Sequence, residues 1–289
     1  MTPIRPPFDE DYISRPGYPL QPDGSSDYGI QANLVSTFFD TSGTPAFENL
    51  PLSVSFWLKL NTGGITQELM CKWWPDSGAG GLNAQGWEVW VNSSNQLNLA
   101  YGQAVSPSSV TSSALTVGKW YYVTCGYNGT NAGQPAASDP NIGMNIFING
   151  KYDVSSSFNG WNGAALTPQV NGMEFMLWAR PTNNKQTTFN RFSDANLLEI
   201  QIIYEQFITQ HAAARLWNNG QPLDPRVHFN NRKCVYIPGY RADMFGAGII
   251  FLTKKNADWK QKFPLIALAG FSASDFSPAA GRPRLAKSS

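Results

Sequence analysis

Two carboxylates near the end of a predicted strand are the first residues that could do chemistry. Glu199 and Glu205 flank the segment Ile200–Tyr204, and Gln201 follows two residues after Glu199. Alternate positions of a strand share a face, where two carboxylates can act as general acid and nucleophile at a glycosidic bond. Here an amide takes the middle position, and Glu205 lies past the expected end of the strand. We therefore interpret both glutamates as the edge of a strand and predict no enzyme.

Nucleophilic catalysis lacks its usual partners. The sequence has two histidines, His211 in a short predicted helix and His228 further on, and it has no G-x-S-x-G motif. We expect His211 to be solvated and His228 to lie at an interface. Cys71, Cys125 and Cys234 are too few and too scattered for a disulfide framework or a zinc site. Cys125 is predicted to be a buried free thiol.

Aromatic residues beside polar stretches indicate a binding function instead. Trp73, Trp74 and Trp161 lie next to Gly- and Asn-rich segments, and an exposed indole can stack on a sugar ring. Adjacent strand residues face opposite ways, so Trp73 and Trp74 cannot both point into one core. These tryptophans, with Asn128, are the candidate glycan-binding residues. The alternative is that the tryptophans pack under a loop or at a subunit interface.

The elements that must position these side chains are β-strands. Apolar residues alternate with polar ones in Leu52–Leu60, in the hairpin Trp87–Tyr101 and in Trp120–Tyr127, which is the period of a half-buried strand. The predicted inward set of the last strand is Tyr121, Val123, Cys125 and Tyr127. A following strand ends in Asn149-Gly150, a dipeptide that favours the positive φ values of a two-residue hairpin turn.

Four further strands and one helix complete the predicted sandwich. The strands are Asp23–Ile30, one that begins at Met70–Trp74, Val170–Arg180 and the closing strand Leu197–Tyr204. The closing strand is expected to place Leu198, Ile200, Ile202 and Tyr204 on one side. A short helix over His211–Trp217 follows, with Thr209 as its N-cap.

Four segments, in order, resemble the laminin G-like or concanavalin A-like jelly-roll module. They are D-G-x-x-D-Y at 23–28, S-x-S-F-W-x-K at 53–59, W-x-x-V-x-x-x-Y-x-G at 120–129 with I-x-I-N-G-K at 146–151, and E-I-Q-I-I-Y with A-A-A-R-L-W-N-N-G at 199–220. The resemblance spans Asp23–Pro225. It implies an all-β, concanavalin A-like jelly-roll sandwich of two antiparallel sheets with one short helix. Some laminin G-like modules bind calcium at a rim, and the ligands here would come from Asn128, Asn131 and Asp139; we expect no other cofactor.

Composition and charge divide the 289 residues into three parts. Residues 1–22 hold six prolines and are predicted to form an extended arm, residues 23–225 form the β-sandwich, and residues 226–289 form a C-terminal extension. The extension has eleven Lys and Arg against three Asp and Glu, whereas residues 1–225 have ten against seventeen. A basic extension beside an acidic body predicts contact with an acidic protein surface. Its basic residues are dispersed, so we do not expect nucleic acid as the partner.

These features favour a protein that docks on its neighbours. We interpret it as a non-enzymatic virion protein of a bacteriophage (capsid decoration, head fibre or tail component), in line with virion proteins that share this resemblance. The alternative is a lectin-like module that attaches to host-surface glycans, and a glucanase ranks third. Met1–Pro7 has no apolar segment, so we expect no secretory signal, synthesis in a host cytoplasm and assembly into a homo-oligomeric virion component without a membrane. The candidate interface residues are Phe8, Tyr12, Tyr18, Arg232, Lys233, Lys254, Lys255 and Trp259.

Overall fold

The fold was analysed in a computed structural model, which describes most of the predicted sandwich. The described residues are 22, 24–25, 28–31, 51–74, 85–103, 108–128, 140, 143–158, 175–182, 188–204, 206–217, 234–237, 252–253 and 267–269. The predicted N-terminal arm lies outside them apart from Pro22, as do all eight candidate interface residues. The described part is two antiparallel sheets, a small hairpin and one helix, which confirms the predicted fold class.

The larger sheet has eight strands. In spatial order they are β10 (Ser156–Phe158), β6 (Ser108–Ala114), β5 (Gln96–Gln103), β4 (Gln85–Val91), β3 (Gln67–Trp74), β11 (Phe175–Leu177), β1 (Tyr28–Gln31) and β17 (Ala267–Ala269). The predicted hairpin of β4 and β5 is confirmed: Trp87 lies opposite Tyr101, and Val89 opposite Leu99. The two-residue strands β12 (Arg180–Pro181) and β13 (Phe189–Asn190) pair with each other in a separate hairpin.

The second sheet has seven strands. In spatial order they are β16 (Leu252–Thr253), β15 (Cys234–Ile237), β14 (Asn196–Tyr204), β2 (Leu52–Lys59), β7 (Trp120–Tyr127), β8 (Met144–Ile148) and β9 (Lys151–Tyr152). The turn from β8 to β9 has the predicted left-handed conformation, with φ of 52° at Asn149 and 72° at Gly150. The Asn149 Oδ1 accepts a hydrogen bond from the Tyr122 N–H at 2.9 Å, so the side chain also ties the turn to β7.

The main core lies between the inner faces of the two sheets. Tyr121, Val123, Cys125 and Tyr127 all belong to it, as predicted, and the rings of Tyr101 and Tyr127 stack across the sheets with centroids 4.2 Å apart. Burial raises the pKa of Tyr127 to about 12 and that of the Cys125 thiol above its ordinary value. Cys125 is a buried free thiol.

The helix α1 (Gln210–Trp217) covers part of the outer face of the seven-stranded sheet. Its first turn is capped as predicted: the Ala212 N–H donates to the Thr209 Oγ1 at 3.4 Å, and the Ala213 N–H donates to the Thr209 carbonyl. Buried residues of this helix pack with Trp57 and Tyr122 in a second cluster. That outer face is therefore closed over its apolar part.

The predicted facing of β14 is wrong in its first half. The register with β2 shifts between Leu198 and Gln201, and Glu199 takes a φ of 52°. Because a bulge inserts an extra residue, the alternation changes phase there. Leu198 consequently packs in the cluster under α1, whereas Ile200 and Ile202 lie in the main core.

The predicted strand Val170–Arg180 is interrupted within its described part. Its described part is β11, followed by Trp178 at a φ of 63° and then by Arg180 in the separate hairpin. The left-handed residue turns the chain out of the sheet, which alternation alone could not indicate.

Strands from the predicted C-terminal extension complete both sheets of the same chain. β15 pairs with β14 and β16 pairs with β15, while β17 pairs with β1. The sheets contact each other through β5 and β6 on one side and β7 and β8 on the other. The extension strands therefore occupy the opposite lateral edge of the sandwich in both sheets.

Candidate functional site

A charged cluster lies on the outer face of the eight-stranded sheet. Trp87 and Val89 of β4 point into the main core, so the alternate residues Glu88 and Trp90 face outward. The register of β3 with β4 sets Cys71 opposite Glu88 and Glu68 opposite Trp90. Two adjacent strands thus carry two carboxylates to the same outer face.

The β12–β13 hairpin brings two arginines over these carboxylates. The Arg180 Nε lies 2.7 Å from the Glu88 Oε2. The Arg191 Nη1 lies 3.5 Å from the same oxygen and 3.5 Å from the Glu68 Oε2. Glu88 is thus shared by both guanidinium groups. Because the Arg191 Nη1 lies 3.5 Å from both carboxylates, the distance between the Oε2 atoms of Glu68 and Glu88 cannot exceed twice that value.

The backbone around the hairpin is held in an unusual conformation. Arg191 has a φ of 54°, and Trp178, at the other end of the hairpin, also has a positive φ. Each such residue costs on the order of 1–3 kcal/mol. Hydrogen bonds to β3 fix both positions: the Glu68 N–H donates to the Arg191 carbonyl at 2.7 Å, and the Trp178 N–H donates to the Leu69 carbonyl at 3.1 Å.

Each guanidinium also rests on an indole ring. Arg180 lies 5.2 Å from the centroid of the Trp73 ring, and Arg191 lies 5.6 Å from the Trp90 ring. These are cation–π distances. With a carboxylate on one side and an aromatic face on the other, both arginine head groups are held in place before any ligand arrives.

Exposure differs sharply between the acids and the bases of the cluster. The side chains of Glu68 and Glu88 are 0% and 5% exposed, whereas those of Arg180 and Arg191 are 22% and 26% exposed. Trp90 is half-buried. The surface that a ligand could touch therefore consists of guanidinium edges and one indole, with the carboxylates beneath.

Burial governs the titration of the two carboxyl groups. It raises the pKa of Glu68 well above the ordinary value, and the negative charge of Glu88 adds to the rise, while Arg191 and Arg180 oppose it. Burial also raises the pKa of Glu88, although both arginines act against it. Beside them, burial raises the pKa of the Cys71 thiol, which keeps that cysteine protonated and unreactive.

Of the predicted glycan-binding set, the structure describes the side chains of Trp73 and Asn128, which lie on different sheets. Trp73 lies on the outer face of the eight-stranded sheet with Cys71, where it is buried beneath Arg180 in a small apolar cluster. Of Trp74 only the backbone, in β3, is described, and Trp161 lies outside the described residues. Asn128 is half-buried at the end of β7, on the other sheet, where its N–H donates to the Gly143 carbonyl.

The other residues considered for chemistry are dispersed as well. Glu199 is buried at the β14 bulge in the seven-stranded sheet, and Glu205 and His228 lie outside the described residues. His211 is exposed on α1, as predicted. Within the described ranges, no three His, Cys, Asp or Glu side chains come together as a metal site. Asn131 and Asp139, two of the candidate calcium ligands, lie outside the described residues.

The charged cluster was not predicted from the sequence. Glu68 and Glu88 do interrupt apolar strands, which is a local sign of a buried acid. Their partners, however, are remote in sequence: Arg191 is 103 residues from Glu88. The hairpin that carries both arginines is flanked by Trp178 and Arg191, which have positive φ values. No sequence motif predicts these values.

Among the residues that the structure describes, no helix is both long and apolar enough to cross a membrane.

Comparisons with known proteins agree with the fold. The family model described as the concanavalin A-like lectin/glucanases superfamily matches residues 35–174. No curated protein matched the chain.

Solved structures with similar folds are distant in sequence. A Bacteroides ovatus protein proposed to bind carbohydrate is 15% identical, with a TM-score of 0.44 over 82% of this chain and 55% of its own. A heptameric pentraxin from Limulus polyphemus is 14% identical, with a TM-score of 0.41 over 78% of this chain and 90% of its own. The carbohydrate-binding module CBM40 of a Ruminococcus gnavus sialidase is 9% identical, with a TM-score of 0.41 over 68% of this chain and 94% of its own.

These three structures are similar in fold only, and this chain spans about half the length of the first. The match of the family model agrees with the two-sheet architecture and with the sequence motifs. The resemblance of this chain to the concanavalin A-like lectin/glucanase superfamily is confirmed over residues 35–174.

Proposed function

We propose that this protein is a non-catalytic carbohydrate-binding protein whose sugar lies on the outer face of the eight-stranded sheet. The observation that supports this proposal is the pair of partly exposed arginines, Arg180 and Arg191, held over buried carboxylates beside the half-buried indole of Trp90.

The composition of this surface suits a saccharide. A pyranose ring has an apolar C–H face, which packs on an indole, and a rim of hydroxyls, which accept hydrogen bonds from guanidinium N–H groups. Sites for small ligands combine aromatic walls with a few fixed polar groups. Because the arginines are already ordered, binding would immobilise few additional side chains, and that lowers its entropic cost.

The same geometry argues against hydrolysis at this face. A glycosidase needs one carboxyl group to protonate the leaving oxygen and another to attack or to activate water. Glu68 and Glu88 lie beneath the arginines with almost no exposed surface. They are placed to orient guanidinium groups rather than to reach a glycosidic bond.

A matched pair of tryptophan variants tests the proposal. Trp90 and Trp120 are both half-buried with a cation 5.6 Å from the ring centroid, Arg191 for the first and Lys59 for the second, but they lie on different sheets. We expect Trp90→Ala to weaken saccharide binding on a glycan array and in titration calorimetry by about tenfold or more, and Trp120→Ala to leave it unchanged. Equal loss in both variants, or no binding by the unmodified protein, would contradict the proposal.

A hydrolysis assay on the saccharides that bind completes this test. We expect no release of reducing ends. Release that disappears in Glu88→Gln, with the fold intact, would replace the non-catalytic assignment with an enzymatic one.

A second candidate function is assembly into a virion as a decoration, head-fibre or tail protein. Its support is that β16 and β17, both from the basic extension, end the two sheets at the same lateral edge. Such strands present backbone groups to which a neighbouring subunit can add a strand. The acidic balance of residues 1–225 against the basic extension provides charge complementarity between copies.

Light scattering after size-exclusion chromatography tests assembly. We expect an oligomer at low salt that dissociates as ionic strength rises, because exposed charge pairs are screened. A monomer at every salt and protein concentration would contradict self-assembly. Termini that are cleaved equally in the free protein and in a particle would contradict docking within a virion.

A further inference from the structure

We propose that the saccharide bound at the outer face of the eight-stranded sheet is acidic, and that Arg180 and Arg191 bind its carboxylate. This inference rests on the proposed carbohydrate-binding function. It adds the chemical class of the ligand, which the fold itself does not specify.

Two guanidinium groups share one carboxylate in this cluster. Both Arg180 Nε and Arg191 Nη1 approach the same atom, the Glu88 Oε2. A carboxylate that serves two arginines compensates one positive charge of the two. The other must be balanced by Glu68 or by something that arrives from solvent.

Glu68 is poorly suited to supply that balance. Its side chain is fully buried, and neither of its carboxyl oxygens has a hydrogen-bond partner among the described residues. The nearest cation, the Arg191 Nη1, stays at 3.5 Å. Both carboxyl groups lie beneath the arginines with almost no exposed surface, whereas both arginine side chains are partly exposed, so the surface that a ligand meets is positive.

The positive charge of the cluster faces solvent. The carboxylates lie on the sheet side, and about a quarter of each arginine side chain faces solvent. Guanidinium N–H groups form a planar fork that matches a carboxylate, and such charge-assisted pairs are stronger than bonds to neutral hydroxyls. A neutral sugar would leave the excess charge uncompensated, whereas an acidic sugar would neutralise it.

The position of Arg191 carries a conformational cost. Arg191 has a positive φ, which is uncommon outside glycine. The indole rings of Trp73 and Trp90 lie 5.2 and 5.6 Å from the guanidinium groups of Arg180 and Arg191. Ordered donors next to an aromatic face fit a sugar ring with an attached carboxylate better than they fit a free anion, because the ring gains the contact with Trp90.

Matched polymers test the ligand class directly. Hyaluronan, polygalacturonate and alginate would each be compared with their own carboxyl-reduced form by titration calorimetry of the full chain at low salt. We expect at least one acidic polymer to bind about tenfold or more tighter than its reduced form, since hydrogen bonds between charged groups exceed neutral ones by about that factor. The preference should shrink as salt is added.

Arginine variants locate the preference. We expect Arg180→Gln and Arg191→Gln to abolish the difference between acidic and reduced polymers, and Lys59→Gln, on the other sheet, to retain it. Arg191→Lys keeps the charge but not the fork, and should retain part of the preference. Circular dichroism and thermal melting would confirm that each variant is folded, and Arg191→Lys keeps the test valid if Arg191→Gln unfolds.

Each remaining outcome decides between the two proposals. Equal binding of acidic and reduced polymers would overturn the acidic ligand and leave carbohydrate binding intact. Absence of binding by every polymer, in both forms, would overturn both. An acidic preference that survives undiminished in folded Arg180→Gln and in folded Arg191→Lys would assign the carboxylate to another surface, which overturns this inference.

Discussion

Glu68 shows how far a single side chain departs from what its neighbours in the sequence suggest. It lies at the start of an apolar strand, yet it is buried beside a second acid and a remote arginine. The sequence did direct attention to Glu199, Trp73 and Trp74, which follow local patterns. Whether a carboxyl group is paired depends on contacts across the fold, and a local pattern does not contain them.

Replacement of Glu68 tests its titration. The folded-state pKa of Glu68 is raised above the ordinary value of 4.5, so its contribution to stability is fully present below that value and is lost as pH rises through the folded pKa. We expect the stability of the unmodified protein, relative to Glu68→Gln, to fall as the pH rises above 4.5. Urea unfolding at several pH values measures this difference.

Asp153→Asn is the control for that series. Asp153 is half-buried after β9, where its Oδ1 accepts a hydrogen bond from the Ser113 N–H at 3.0 Å, away from the cluster. Its replacement controls for the loss of a carboxyl group as such. Stability curves of Glu68→Gln and the unmodified protein that stay parallel over this range would show that Glu68 does not titrate as described.

At the scale of elements, turns and strand faces followed the sequence where the physics is local. The Asn149-Gly150 turn and the alternation in β2, β4, β5 and β7 were predictable, because a positive φ or a period of two is written in adjacent residues. The bulge at Glu199 and the break at Trp178 were not. Both depend on how a strand registers against its partner, and that is decided across the sheet.

Two glycines with similar backbones separate strain from packing. Gly64 and Gly150 have φ of 78° and 72°, but a Cβ at Gly64 would meet nothing within 4 Å, while one at Gly150 would lie 2.9 Å from the Trp217 Cβ. We expect Gly64→Ala to cost about 1 kcal/mol of unfolding free energy from the left-handed conformation alone. Gly150→Ala should cost a further 1–3 kcal/mol, roughly, because the helix must shift. Equal costs in urea unfolding would mean that α1 does not press on this turn.

At the scale of the whole molecule, the sandwich was predictable because several weak motifs occur in the right order. The sequence did not identify the strands with which the C-terminal extension pairs. The structure pairs it with its own sheets through β15, β16 and β17. Short strands in a basic segment have no pattern that names their partner, so this was beyond sequence reasoning.

Truncation tests the contribution of those strands. A chain that ends at Pro225 loses β15–β17 and uncovers the edge of β14, including the backbone opposite Ile237 and Tyr236. We expect its Tm to fall by about 5 °C or more and its tendency to aggregate to rise, since an open apolar edge pairs with other chains. A chain that ends at Ala269 keeps all three strands and should melt like the full chain. Similar melting of both truncated chains would contradict the pairing.

Hydrogen exchange of the full chain with and without its saccharide tests the central claim most directly, because it locates the ligand without any substitution. The account predicts slower exchange on binding in Glu68–Trp73, in Gln85–Val91 and around Arg180 and Arg191, with α1 and β7 unchanged. Protection confined to α1, β7 or the loop ends near Asn128 would place the sugar on the opposite side of the sandwich and contradict the account.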